Sequence, residues 1–172
     1  MSRSALASRY QQRTAPYRAR LVPIVSTILA SCLALLPIVS AGQMLPNFGL
    51  LALLAWRLLR PEIWSAQMGI GLGLAHDLIT GGPLGLGMAL WPLLLMFFDF
   101  ADNRLQWRDH WIEWLLAAFA IALASLADWK VADLMRAAGP LSNVVPHILI
   151  SILFFPAVLR VVVMLDRWRL GR

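Results

Sequence analysis

Charge is what this sequence has least of. Only 14% of its 172 residues are charged and 60% are hydrophobic, whereas a soluble domain is about a quarter charged and about half apolar. That balance excludes an ordinary soluble domain and points to an all-α integral membrane protein. The length accommodates about six spans of ~20 residues with short connections. Cysteine is nearly absent. Cys32 stands alone in an apolar run, so no disulfide forms within the chain, and the thiol reads as a small core residue. The three histidines, His76, His110 and His147, fall in different segments without ligand spacing, which argues against a metal centre. Neither a G-x-S-x-G elbow nor a Gly-Lys-Ser/Thr phosphate loop occurs, so the patterns of a serine hydrolase and of a P-loop nucleotide binder are missing. No catalytic residue and no cofactor is expected.

The net charge of +6 is of the kind that draws nucleic acid, but its placement favours another reading. Arg3, Arg9, Arg13, Arg18, Arg20, Arg57, Arg60, Arg104, Arg108, Arg160, Arg167, Arg169 and Arg172 lie in segments that alternate with apolar runs, and only Lys130 and Arg136 fall on the opposite side. This positive-inside pattern predicts that both termini are cytoplasmic and leaves no role for nucleic acid.

In chain order, residues 1–20 read as a basic cytoplasmic tail able to lie on anionic membrane lipid. Residues 21–172 read as a single polytopic membrane domain with helices at 21–41, 46–59, 62–79, 83–100, 111–127 and 141–165. Val39-Ser40-Ala41 faintly resembles a signal-peptidase site, but the preceding tail and apolar core are too long for a secretion signal. Ser26, Ala30 and Ala34 form a small-residue stripe on the first helix, suited to close packing or to a partner. Pro37, the Trp91-Pro92 pair, Pro146 and Pro156 are expected to bend their helices, whereas Pro61 suits the first position of helix three. Asp99, Asp102, Arg104, Arg108 and Asp109 make a mixed-charge inner loop, flanked by interfacial Trp107, Trp111 and Trp114. The pairs Asp99/Asp102 and Asp128/Asp133 read as solvated, the second in an outer loop at 128–140 with room for a short helix lying on the surface.

The run at 69–87 places one carboxylate, Asp77, in an apolar stretch. Gly69, Gly73 and Asp77 are four apart and share a helix face. A charge in such a segment is costly and points to a functional site; the competing reading is that the glycines serve packing and Asp77 caps a turn. Asp77 lies ~22 Å from the start of helix three, near the outer boundary. Two partners compete for it: the free amides of Leu84 and Gly85 at the start of helix four, or Lys130 and Arg136.

At these residues the chain resembles a known family. Pro46-Asn47 opening helix two, Arg60-Pro61 before helix three, and the run Gly73-Leu-Ala-His-Asp77-Leu-Ile-Thr-Gly81-Gly-Pro83-Leu-Gly85 are similar to the bacterial rod shape-determining MreD family. The resemblance is most specific from Pro46 to Leu90 and extends as a pattern over the rest. It implies a non-enzymatic inner-membrane component of the elongasome, the assembly that couples the actin-like MreB filament to lateral peptidoglycan synthesis. The implied partners are MreC and a transpeptidase and glycosyltransferase pair. The family's fold is thought similar to the S component of energy-coupling-factor transporters, which supplies an alternative: a vitamin-binding transporter subunit.

Overall fold

A computed structural model describes residues 21–35, 45–104, 110–135 and 139–170. Expectations for the tail at 1–20, for 36–41 with Pro37, for 105–109, for Arg136 and for the last two residues lie outside the described residues. Within them the chain is helical throughout, with no strand. Six helices follow one another: α1 (Leu21–Leu35), α2 (Phe48–Leu59), α3 (Ala66–Thr80), α4 (Leu86–Arg104), α5 (His110–Leu134) and α6 (Val144–Leu170). Of these, α5 and α6 are long and apolar enough to cross a membrane.

The shortest helix with a full cap is also the most enclosed. Asn47 starts α2 by accepting the Leu50 amide at 3.0 Å, which satisfies one of the donors every helix start leaves free. All side chains from Gly49 to Arg57 are buried. A helix apolar on every side belongs in the middle of a bundle, and Leu51, Leu53, Leu54 and Trp56 form the core with Trp91, Leu94, Leu95 and Phe98 of α4, Ala117, Ala120 and Ile121 of α5, and Phe155 and Val162 of α6. Twelve residues rise only ~18 Å, so α2 alone is shorter than a bilayer core.

Neighbouring helices alternate in direction, as polar contacts at the two ends of the bundle show. Ser26 near the start of α1 accepts the Trp56 indole from the last turn of α2 at 2.8 Å. Ser26, Thr27 and Ser31 turn their hydroxyls back to the carbonyls of Pro23, Pro23 and Thr27, which keeps polar side chains satisfied on an apolar helix.

Several boundaries differ from the sequence expectation, and α4 continues past 100 to Arg104, so Asp99, Asp102 and Arg104 lie on that helix and not in the expected inner loop. Helix three begins at Ala66, not 62, because Pro61–Ile63 forms a separate 3-10 turn and Trp64 is extended. Helix four begins at Leu86, not Pro83, because Gly85 takes a positive φ of 97°. Helix five continues through the expected outer loop to Leu134, where Lys130 pairs with Asp133 at 3.0 Å along its surface; such an i,i+3 pair supports a helix end. Helix six runs on to Leu170 after a 3-10 turn at Leu141–Asn143. Pro146 falls in its first turn, where no intrahelical donor is needed, while Pro92 and Pro156 lie inside α4 and α6.

Candidate functional site

The α3–α4 hairpin is built around glycine. A Cβ on Gly73 would collide with the Gly87 carbonyl, and one on Gly69 would come within 2.9 Å of the Pro92 nitrogen. The two backbones therefore touch without a side chain between them, so Gly69 is spent on α4 inside this chain. Gly71 has open space at its Cβ position.

Asp77 lies at the open end of this seam and is 4% exposed. Its Oδ2 accepts the Gly85 amide at 2.9 Å, both oxygens accept the Gly87 amide at 2.9 and 3.1 Å, and Met88 donates at 3.4 Å. These are free amides at the first turn of α4, where partial positive charge gathers. Leu84, expected as a partner, does not take part; Gly87 and Met88 do. The reason is the delayed helix start, which moves the first free amides two to three residues downstream. Gly81, at φ 67°, closes α3 by donating its amide to the Asp77 carbonyl at 3.0 Å. Left-handed φ suits glycine. Pro83 supplies the carbonyl that receives the Leu86 amide at 3.2 Å. Lys130 is committed to Asp133, and Arg136 lies outside the described residues.

One residue away, His76 joins four helices. Its Nδ1 is 3.0 Å from Ser31 Oγ on α1, its Nε2 is 3.1 Å from the Asn47 amide at the head of α2, and its ring lies on Trp91 of α4 with centroids 5.0 Å apart. Pro46 is buried beside this junction, and its carbonyl accepts the Phe48 amide at 2.9 Å. Sequence reasoning assigned His76 no role. Its partners lie 29 and 45 residues away, and no local pattern encodes them.

The opposite end of the bundle holds ion pairs. Arg57 on α2 is 1% exposed and reaches Asp99 at 2.5 Å and Asp102 at 2.9 Å, both on α4. The two carboxylates are thus bound to a buried guanidinium and not simply solvated, a correction to the sequence reading. Arg57 Nε and Nη1 have no hydrogen-bond partner among the described residues. Arg60 reaches Asp166 on α6 at 2.9 Å, and Arg169 shares that carboxylate at 2.7 Å while lying 5.5 Å from the Trp56 ring centroid. The hydrogen bonds that Arg60 donates to Asp166 hold its guanidinium above its ordinary pKa. Pro61 is exposed in the turn that follows.

On the first helix the predicted stripe divides. Ser26 faces Trp56, Ala30 lines a crevice of about 260 Å³ between α1, α2 and α6, and Ala34 is exposed. The crevice walls are otherwise Leu33, Phe48, Ala52 and the Ala157 to Leu165 face of α6. Cys32 is a free, half-buried thiol. Among the described residues no group of three metal-ligating side chains gathers.

A family model described as rod shape-determining protein MreD matches residues 18–165. No curated protein and no solved structure matches this chain.

Proposed function

This chain belongs to the rod shape-determining protein MreD family, and on that premise we propose that it is a non-enzymatic scaffold of the elongasome in the bacterial inner membrane. The family match over residues 18–165 carries the reading. In this proposal all six helices lie in the membrane with both termini cytoplasmic, in keeping with the one-sided arginines. The Arg57, Arg60 and Asp166 end then faces the cytoplasm and the Asp77 end faces outward. MreC, the MreB filament and the peptidoglycan transpeptidase and glycosyltransferase are its partners.

The use of the polar side chains supports a scaffold over a catalyst. Asp77 is spent on backbone amides, His76 on Ser31 and Asn47, and Arg57 and Arg60 on carboxylates. Each joins one helix to another. Asp77 with Gly73, Gly81, Pro83 and Gly85 fixes the α3–α4 hairpin; Pro46, Arg60 and Pro61 set the two ends of α2. What remains for partners is the outer surface, including Ala34 and the open side of α3.

Depletion in the native rod-shaped host tests the reading. Rounded cells, restored to rods by the intact gene, are the expected result. Unchanged rods that acquire a vitamin requirement would replace the scaffold with the transporter-subunit alternative. Reporter fusions after Arg172 and after Gly82 should lie on opposite sides of the membrane.

A further inference from the structure

The junction at the head of α2 is wired for one protonation state of His76. Asn47 Oδ1 is committed to the Leu50 amide at 3.0 Å, so Asn47 turns its NH2 toward His76 Nε2 at 3.1 Å. An NH2 only donates, so Nε2 is the bare, accepting nitrogen. The ring proton therefore sits on Nδ1 and is donated to Ser31 Oγ at 3.0 Å, and Ser31 donates its own hydrogen to the Thr27 carbonyl at 3.1 Å. The chain of donors and acceptors closes only with a neutral imidazole. A second proton would set N–H against NH2. Relief requires Asn47 to turn its amide over, which takes Oδ1 away from Leu50 and uncaps α2. The space is closed as well, since a Cβ on Gly49 would meet both Ser31 Oγ and His76 Nδ1.

We propose that His76 is a proton-sensitive latch that ties α3 and α1 to the N-terminus of α2 while neutral and releases that terminus when protonated. The groups facing it are known from each helix. Burial opposes a charge on the ring, and Asp77, its neighbour on α3 with its carboxylate held by the α4 amides, favours one. α1 presents Ser31 and Thr27, α2 presents Asn47, and α4 lays Trp91 against the ring. On α5, Asp128 lies within the field of Asp77, and on α6, His147 is hydrogen-bonded to the Leu45 backbone beside Asn47. His147 is thus the second histidine at this junction, and the test must separate the two.

The test uses the full chain in phospholipid nanodiscs in steps from about pH 8 to about pH 4.5, because the ordinary imidazole pKa is about 6.5 and a junction that closes only around the neutral ring holds protonation off until the pH falls below it. Backbone hydrogen exchange across Phe48–Ala52, corrected for intrinsic rates, reports the α2 cap, and thermal unfolding reports overall stability. On acidification, exchange at Leu50 should rise roughly fivefold, the size of one lost N-cap, and the midpoint should fall. His76→Gln, which keeps a donor and an acceptor but cannot gain a proton, should abolish both responses. Asn47→Asp keeps the cap and offers an acceptor to a protonated ring, so acid should no longer open the junction. His147→Gln should leave the response in place. An acid response that persists in His76→Gln, that vanishes in His147→Gln, or that is absent from the unmodified protein overturns the latch. If His76→Gln does not fold, the response of Asn47→Asp decides alone.

Discussion

The Asp77 carboxylate holds the Gly87 amide with both oxygens, at 2.9 and 3.1 Å, where the backbones of α3 and α4 come into direct contact. Side chain and seam depend on each other here. Gly87 must lack a side chain for α3 to come close, because a Cβ there would meet Asp77 Oδ1. The closeness in turn brings the first amides of α4 within reach of a carboxylate on α3.

Asp77→Asn keeps one acceptor oxygen but sets an NH2 among amide donors; Asp77→Ala leaves the Gly85, Gly87 and Met88 amides without their partner. Each unmet buried amide costs ~1–3 kcal/mol. Unfolding in detergent should rank wild type, Asn and Ala in descending order of stability, with rod shape following the same order. An Asn variant that is stable yet as defective in shape as Ala would assign the charge to a partner and not to the cap.

The α3 glycines should separate cleanly. Gly73→Ala forces its Cβ into the Gly87 carbonyl, an overpacking expected to cost ~1–3 kcal/mol. Gly71→Ala meets nothing within 4 Å and replaces a poor helix former, so the isolated protein should gain up to ~1 kcal/mol. Thermal unfolding checks both. A Gly71→Ala protein that is more stable but fails to support rods would mark that side of α3 as a partner contact.

Arg57 makes the opposite end asymmetric. Its guanidinium side chain is 2% exposed, whereas Asp99 and Asp102 are 52% and 24% exposed. Removing both carboxylates as Asp99→Asn with Asp102→Asn strands a buried cation, at ~3–5 kcal/mol. Arg57→Met leaves two carboxylates that water can reach and should cost clearly less. Denaturant unfolding of the two proteins tests the order, and equal losses would mean that the carboxylates are not the main support of Arg57.

Ala30 and Ala34 should part company as well. Ala30→Leu projects into the crevice between α1, α2 and α6 and should alter unfolding of the isolated protein. Ala34 is exposed, so Ala34→Leu should leave that unfolding within ~0.5 kcal/mol. Reduced co-purification with MreC for Ala34→Leu at normal protein level would place a partner on α1. Unchanged co-purification would remove α1 from the partner surface.

Much of this molecule is dictated by composition and short spacing. Apolar runs with few charges make helices, because in a bundle or a bilayer each backbone donor must find its acceptor within its own segment. The Gly81-Gly82-Pro83 break and the four-residue spacing of Gly69, Gly73 and Asp77 act over a few residues and were legible in the sequence, whereas the Asn47 cap emerged only with the structure. Boundaries were less so. Charged residues near 128–134 suggested a loop, yet α5 continues, since a helix does not have to end where its apolar stretch does. The tertiary structure alone decided the polar links among helices: Arg57 with Asp99 and Asp102, Arg60 with Asp166, and His76 with Ser31 and Asn47. These partners lie between 29 and 106 residues apart. Which arginine meets which carboxylate depends on how the helices rotate and stack, and packing of Trp56, Trp91 and Phe98 around the short central α2 sets that rotation. A one-dimensional pattern carries the face of each helix but not the neighbour that face will meet.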